Sequence, residues 1–232
     1  MMKKIGLVGG IGPASTVDYY LGLIERCRTK LGETVYPEIV IDSVNLHEAT
    51  EYVAKNEMRN SVNLMLYSLK NLKAAGAQIA AITANTEHIY WDEMKENFPL
   101  PVISIVDSVV AKIQKEYQRV LVIGTVFTMA SGLYNAPLSK AGVTAISPNE
   151  EDMKIIGDII YPNLENGIII PEDKQVLLSL CESYIKRENA DSVLLGCTEL
   201  ALMIKSNDLS VPVLDSTQIH IDKIFSLANT QI

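Results

Sequence analysis

The sequence predicts an α/β protein of two pseudo-symmetric lobes, each a roughly four-stranded parallel sheet flanked by helices, and three observations carry that reading. Short runs rich in Val and Ile recur along the chain between longer segments of helical period. These runs are continuously apolar rather than alternating, which indicates strands covered by helices on both faces. Segments also repeat: "KKIGLVGGIGPASTVDYY" (3–20) resembles "QRVLVIGTVFTMASGLYN" (118–135), and "AAITANTEHI" (80–89) resembles "SVLLGCTELA" (192–201). Eight strands could also close as one barrel, but the repeat favours two sheets, and 232 residues fall short of the ~250 usual for a barrel.

The first run, Ile5-Gly6-Leu7-Val8, follows two lysines and breaks at Gly9-Gly10, so it reads as a strand and not as a signal peptide. A helix over "STVDYYLGLIERCRTKL" (15–31) follows, with Ser15 or Thr16 as its cap. The strand "PEIVIDSV" (37–44) leads to a helix over "NSVNLMLYSLKNLKAAGA" (60–77) that ends on Gly76. The remaining strands are "IAAITAN" (79–85), "PVISIV" (101–106), "RVLVIGT" (119–125), "VTAIS" (143–147), "SVLLGCT" (192–198) and "VPVLDS" (211–216). The lobe break is placed in "NFPLPVIS" (97–104), and "VPVLDSTQIHIDKIF" (211–225) is taken to cross back. The lobes are then residues 1–99 with 208–232, and 100–207.

Composition narrows the function. The net charge of −8 with scattered lysines and arginines argues against nucleic acid as a partner. No run reaches the ~18 apolar residues of a membrane span, so a cytoplasmic protein with no membrane partner is expected. Three distant cysteines, Cys27, Cys181 and Cys197, form neither a disulfide framework nor a Cys-x-x-Cys pair. No histidine–carboxylate cluster has ligand spacing, so no metal is expected.

In open parallel sheets ligands bind beyond the carboxyl ends of the strands. The turns at issue are "GGIGPAST" (9–16), "SVNLHEAT" (43–50), "TANTEH" (83–88), "GTVFTM" (124–129) and "GCTE" (196–199), and two facing lobes would gather them in one cleft. Gly9-Gly10-Ile11-Gly12-Pro13 can present backbone amides to an anion, or can simply be a tight turn. Asn85, Thr86 and Thr198 offer the donors a carboxylate needs, and helix capping explains the two threonines equally well. Cys197 stands at a strand-to-helix corner, where a helix dipole would favour its thiolate. Cys27 and Cys181 lie within apolar helical periods and read as packing. His88 and His220 sit near strand ends, to orient a partner or cap a helix.

With these residues in place, "IGLVGGIGP", "ANTEH", "GTVFTM", "LGCTEL" and "VLDST…H" resemble the aspartate/glutamate racemase family, in order and spacing over nearly the whole chain. "GCTE" is similar to the aspartate racemase branch. The resemblance implies a homodimer with the active site between the lobes. It also implies no cofactor: the amino acid is racemised without pyridoxal phosphate, by two cysteines on opposite faces of the substrate Cα. Carried over, Cys197 matches the second-lobe cysteine, while Gly10, Asn85, Thr86, Thr125 and Thr198 match substrate-binding turns. The first-lobe motif Cys-Asn-Thr reads Ala84-Asn85-Thr86 here, so the first cysteine is missing, and Thr83 is the nearest hydroxyl. The family's arginine after the second strand has no counterpart between Lys30 and Arg59, and Lys154 stands near its second-lobe lysine.

Three functions follow from that resemblance. The first is an aspartate/glutamate-type racemase using Cys197 and an atypical partner, with Thr83 the expected one. The second is a single-cysteine decarboxylase or isomerase, similar to arylmalonate decarboxylases. The third is a non-catalytic binder of small carboxylates.

Overall fold

A computed structural model describes residues 2–230. Its elements run β1 (Ile5–Gly9), α1 (Pro13–Leu31), β2 (Ile39–Ser43), α2 (Leu46–Ala54), α3 (Met58–Ala74), β3 (Ile79–Ile82), α4 (Trp91–Met94) and β4 (Val102–Ile103). The chain continues with α5 (Ile105–Ile113), β5 (Arg119–Gly124), α6 (Val126–Ala130), α7 (Asn135–Lys140), β6 (Thr144–Ile146) and α8 (Glu150–Ile160). It closes with α9 (Pro171–Glu188), β7 (Ser192–Gly196), α10 (Leu200–Met203), β8 (Val213–Asp215) and α11 (Ser216–Asn229).

Two four-stranded parallel sheets result, in the orders β2-β1-β3-β4 and β6-β5-β7-β8, so the internal repeat is realised strand for strand. The chain divides into two compact units, one running to Ile105 and resuming at His220, the other spanning Val106–Ile219. Two strands belong elsewhere than the sequence suggested. Val102 pairs with Ala80 in the first sheet, and Val213 pairs with Val193 in the second. Pro99 and Pro101 mark the turn into β4, not a boundary between lobes. Each fourth strand extends the free edge beside the strand before it, and the chain changes unit only after that.

Alternation along the strands sends successive side chains to opposite sheet faces. In the first unit Ile5, Leu7, Ile79 and Ala81 pack on Tyr19, Leu23 and Cys27 of α1 and on Ile221, Ile224 and Phe225 of α11. Val8, Ala80 and Ile82 face the other way, onto Met65, Leu69 and Leu72 of α3. In the second unit Leu121, Ile123, Val193 and Leu195 share a core with Ile156 of α8 and with Leu177, Cys181 and Tyr184 of α9. Cys27 and Cys181 are thus core residues, as their helical periods indicate. Burial pushes both thiols up, Cys181 to about 12.

The start of α1 departs from expectation. Pro13 opens it behind Gly12, with no side-chain cap. Neither Ser15 nor Thr16 caps, because both hydroxyls serve the neighbouring strand ends: Ser15 Oγ donates to the Thr83 carbonyl (2.9 Å), and Thr16 Oγ1 accepts from Gly10 N–H (2.9 Å). α3 does end as anticipated, with Gly76 just past its cap at φ +87°. Among the described residues no helix is long and apolar enough to cross a membrane.

Candidate active site

Cys197 follows the last residue of β7. Gly196 pairs with Gly124 of β5, and a Cβ on Gly124 would lie 2.9 Å from the Gly196 carbonyl oxygen, so the two strands meet there without side chains. The thiol is buried and donates to Glu199 Oε2 at 3.0 Å, and Thr198 Oγ1 donates to the same oxygen at 2.7 Å. One carboxylate therefore collects both hydrogens.

The electrostatics reverse the thiolate expectation. Burial, and then the Glu199 carboxylate, hold the Cys197 thiol well above its ordinary range, against weaker help from the Glu199 and Leu200 amides. The helix that would have favoured a thiolate, α10, is only four residues long. Its dipole is correspondingly small. At rest Cys197 is a protonated thiol. Tyr161 and Glu165, in the segment between α8 and α9, complete the surroundings. Burial, and then Glu165, raise the Tyr161 phenol, with Cys197 and Glu199 adding to the effect. Burial also raises Glu165, partly offset by its hydrogen bond from Tyr161. Thr125, at the end of β5, caps α6 by accepting from Thr128 N–H (3.1 Å).

The first unit offers the matching strand ends. Val8 of β1 pairs with Ile82 of β3, as Ile123 of β5 pairs with Leu195 of β7. Two residues further along stand Ala84 and Cys197, so Ala84 holds in one sheet the register position that Cys197 holds in the other. Its methyl belongs to the core on the α3 face. Thr83 is fully buried, and its hydroxyl donates to the Val8 carbonyl at 3.0 Å. That hydroxyl's one proton is committed to the sheet end. Gly10 turns the chain at φ +87°, with Val44 O only 2.3 Å from where a Cβ would be, and its amide goes to Thr16. Asn85 and Thr86 lie at the start of a 3-10 turn over Thr86–Tyr90.

Two buried histidines brace this turn. His88 Nδ1 donates to the Ala84 carbonyl (2.9 Å), so its Nε2 accepts from Ile105 N–H (3.3 Å). His220 Nε2 donates to the Ile103 carbonyl (2.9 Å), leaving Nδ1 to accept from Tyr19 OH (2.8 Å). Each ring uses one donor and one acceptor, which only the neutral form supplies. Burial lowers His88 to about 4 and, with the neighbouring His88, lowers His220 to about 3. Both orient the backbone of strand ends.

Four further groups near these strand ends carry little signal in the sequence. Glu199 was visible in "GCTE" as a carboxylate beside the cysteine, but its hold on both hydrogens was not. Glu87, in "NTEH", is buried and accepts from Ser61 Oγ at 3.1 Å. Burial raises its carboxyl to about 7, against the Ser61 bond. Tyr161 and Glu165 carry no local signal, since only the fold brings them to Cys197. Among the described residues no three His, Cys, Asp or Glu side chains group as metal ligands.

The sequence pattern of the Asp/Glu/hydantoin racemase family matches residues 8–224, which take in all of these strand ends. The chain belongs to that family. A solved aspartate racemase homologue from Pyrococcus horikoshii OT3 is 36% identical, with a TM-score of 0.85 covering 99% of this chain and 100% of that one. The broad specificity amino-acid racemase RacX of Bacillus subtilis (strain 168) is 23% identical over 219 residues, 92% of each chain. Arylmalonate decarboxylase shares the racemase family fold, at 16% identity and a TM-score of 0.53 over 99% of this chain and 94% of that one.

Proposed function

We propose that this protein is an amino-acid racemase, working without pyridoxal phosphate, in which Cys197 is one of the two groups that move the Cα proton. The observation that carries the reading is the thiol at the end of β7, hydrogen-bonded to Glu199 at 3.0 Å within a segment that the family pattern spans. A protonated Cys197 is a donor: it delivers its proton to a Cα carbanion and becomes a thiolate. Beside the Glu199 carboxylate, in a buried setting, that thiolate is disfavoured and readily takes a proton back. For the opposite direction the thiol must first lose its proton, and Glu199 Oε2 is the acceptor within reach. The negative charge that develops on the substrate carboxylate needs donors, for which Asn85, Thr86 and Thr125 are the candidates, since the Thr198 hydroxyl gives its hydrogen to Glu199 and the Gly10 amide gives its own to Thr16 Oγ1.

Aspartate and glutamate are the first substrates to test, supported by the family and by the 36%-identical homologue. The broad specificity in the name of RacX widens the panel to other amino acids. Incubating the protein with each pure enantiomer and separating the products on a chiral column is the test. Appearance of the opposite enantiomer is expected, and its absence for every amino acid ends the proposal. One observation favours a second reading: Ala84 places a core methyl where a second thiol would stand. A single-thiol decarboxylase protonates an enolate without an opposing base, and release of carbon dioxide from substituted malonates identifies it.

A further inference from the structure

Resting on the racemase reading, we propose that the substrate side chain is uncharged and apolar, and that it lies beside Cys197 against Val126, Phe127 and Tyr161. The site then prefers amino acids such as leucine, methionine or phenylalanine to aspartate and glutamate. Two independent observations meet in this assignment: where the charges stand, and where the exposed apolar groups stand.

Ligands of parallel sheets bind at the carboxyl ends of the strands, so the residues that follow each strand are the ones placed to meet a substrate. Taken five at a time from β1 to β8, those residues include no lysine and no arginine. They do include Glu48, Glu87, Asp107, Glu150, Glu151 and Glu199. Two further histidines fall among them with His47 and His220 the pair: His220 is buried and neutral, and His47 stands 3.9 Å from Glu51. Lys154 on α8 lies two helical turns before Tyr161, about 10 Å along the axis.

The charged side chains that act on the groups around the thiol are all acids: Glu199 on Cys197, Glu165 and Glu199 on Tyr161, and Glu199 on Glu165. Aspartate or glutamate brings a second carboxylate, which needs a cation or several donors once it leaves water. Beside Cys197 it would meet carboxyl groups instead. Those groups already accept hydrogens within the unit, Glu199 from Cys197 and Thr198, and Glu165 from Tyr161. A lysine side chain is the alternative occupant, and the test includes it.

The apolar groups are placed by strand register. Gly124 of β5 pairs with Gly196 of β7, so Thr125 and Cys197, one residue on, end neighbouring strands about 5 Å apart. Val126 and Phe127 follow Thr125 at the start of α6, and both are exposed. α8 lies directly against this start: a Cβ on Gly157 would be 2.6 Å from Val126 Cγ2. Tyr161 ends α8 one turn after Gly157, is exposed, and stands close enough to Cys197 and Glu199 to respond to the charge of each. The thiol is thus flanked by exposed apolar surface from α6 and the end of α8, all within one unit. An apolar side chain covers that surface and removes it from water.

Rates of racemisation of L-leucine, L-methionine, L-phenylalanine, L-aspartate, L-glutamate and L-lysine, followed by chiral chromatography, give the order of kcat/KM. One of the three apolar amino acids should lead aspartate and glutamate by about tenfold or more. A lead by aspartate, glutamate or lysine overturns the proposal. Val126→Lys tests the place, because it sets an ammonium at the exposed start of α6. It should raise the kcat/KM of aspartate relative to leucine by about tenfold. Phe127→Lys, at the next exposed position, makes the same test without disturbing the Val126 contact with α8. A ratio that neither variant moves, with thermal midpoints like that of the unaltered protein, overturns the placement. Failure of the unaltered protein to racemise any amino acid overturns the racemase reading itself, a distinct result.

Discussion

At the scale of single residues, the Glu199 carboxylate accepts hydrogens from both Cys197 and Thr198. Glu199 raises the Cys197 thiol, so Glu199→Gln should lower the pH at which Cys197 is alkylated by iodoacetamide. An unchanged or higher midpoint would show that the carboxylate is not what holds the proton. Glu87 carries a linkage of known sign. Its folded value of about 7 lies above its ordinary 4.5, so the stability it contributes is complete below pH 4.5 and is lost as pH rises through 7. Glu87→Gln should therefore stabilise the protein at pH 8 by an amount on the order of 3 kcal/mol, and the gain should vanish below pH 4.5. Denaturant titrations at the two pH values measure both.

At the scale of elements, strand ends position the chemistry, and they are where glycine is required. A Cβ on Gly124 would meet the Gly196 carbonyl oxygen at 2.9 Å and carbon at 3.0 Å, and β5 and β7 would have to part. Gly124→Ala should cost about 1–3 kcal/mol in a denaturant titration and lower activity further than that loss explains, because Cys197 follows Gly196 directly. These elements also show what was legible in the sequence. All eight strands could be read, because a parallel strand buried on both faces leaves a continuous apolar run. Membership of a sheet could not be read for β4 or β8, since hydrogen-bond partners leave no local pattern. Ser15 and Thr16 looked like caps but bind strand-end backbone instead, as tertiary contacts override a local propensity. At the site, Cys197 and the gap at Ala84 were visible as motif letters. The thiol's protonation state was not, because it depends on burial and on where the Glu199 side chain turns.

At the scale of the whole molecule, two sheets of the same strand order present two versions of one strand-end device. One carries a thiol and the other a methyl at the same register position. The first unit also holds an acid-sensitive brace. His88 and His220 are neutral when folded, with values lowered from 6.5 to about 4 and about 3. Stability that they contribute is complete above pH 6.5 and is lost as pH falls toward 4. Thermal midpoints should therefore drop over that range, and His220→Gln should flatten the drop; a profile unaffected by that change would remove His220 from the account. The central claim is that the Cys197 thiol moves the substrate's Cα proton. Its most direct test is deuterium incorporation at Cα in D2O, measured by NMR for the unaltered protein and for Cys197→Ser, starting from each enantiomer of the best substrate. The account predicts that the substitution removes exchange from one enantiomer by about a hundredfold or more. Exchange that continues at the original rate from both enantiomers would contradict it.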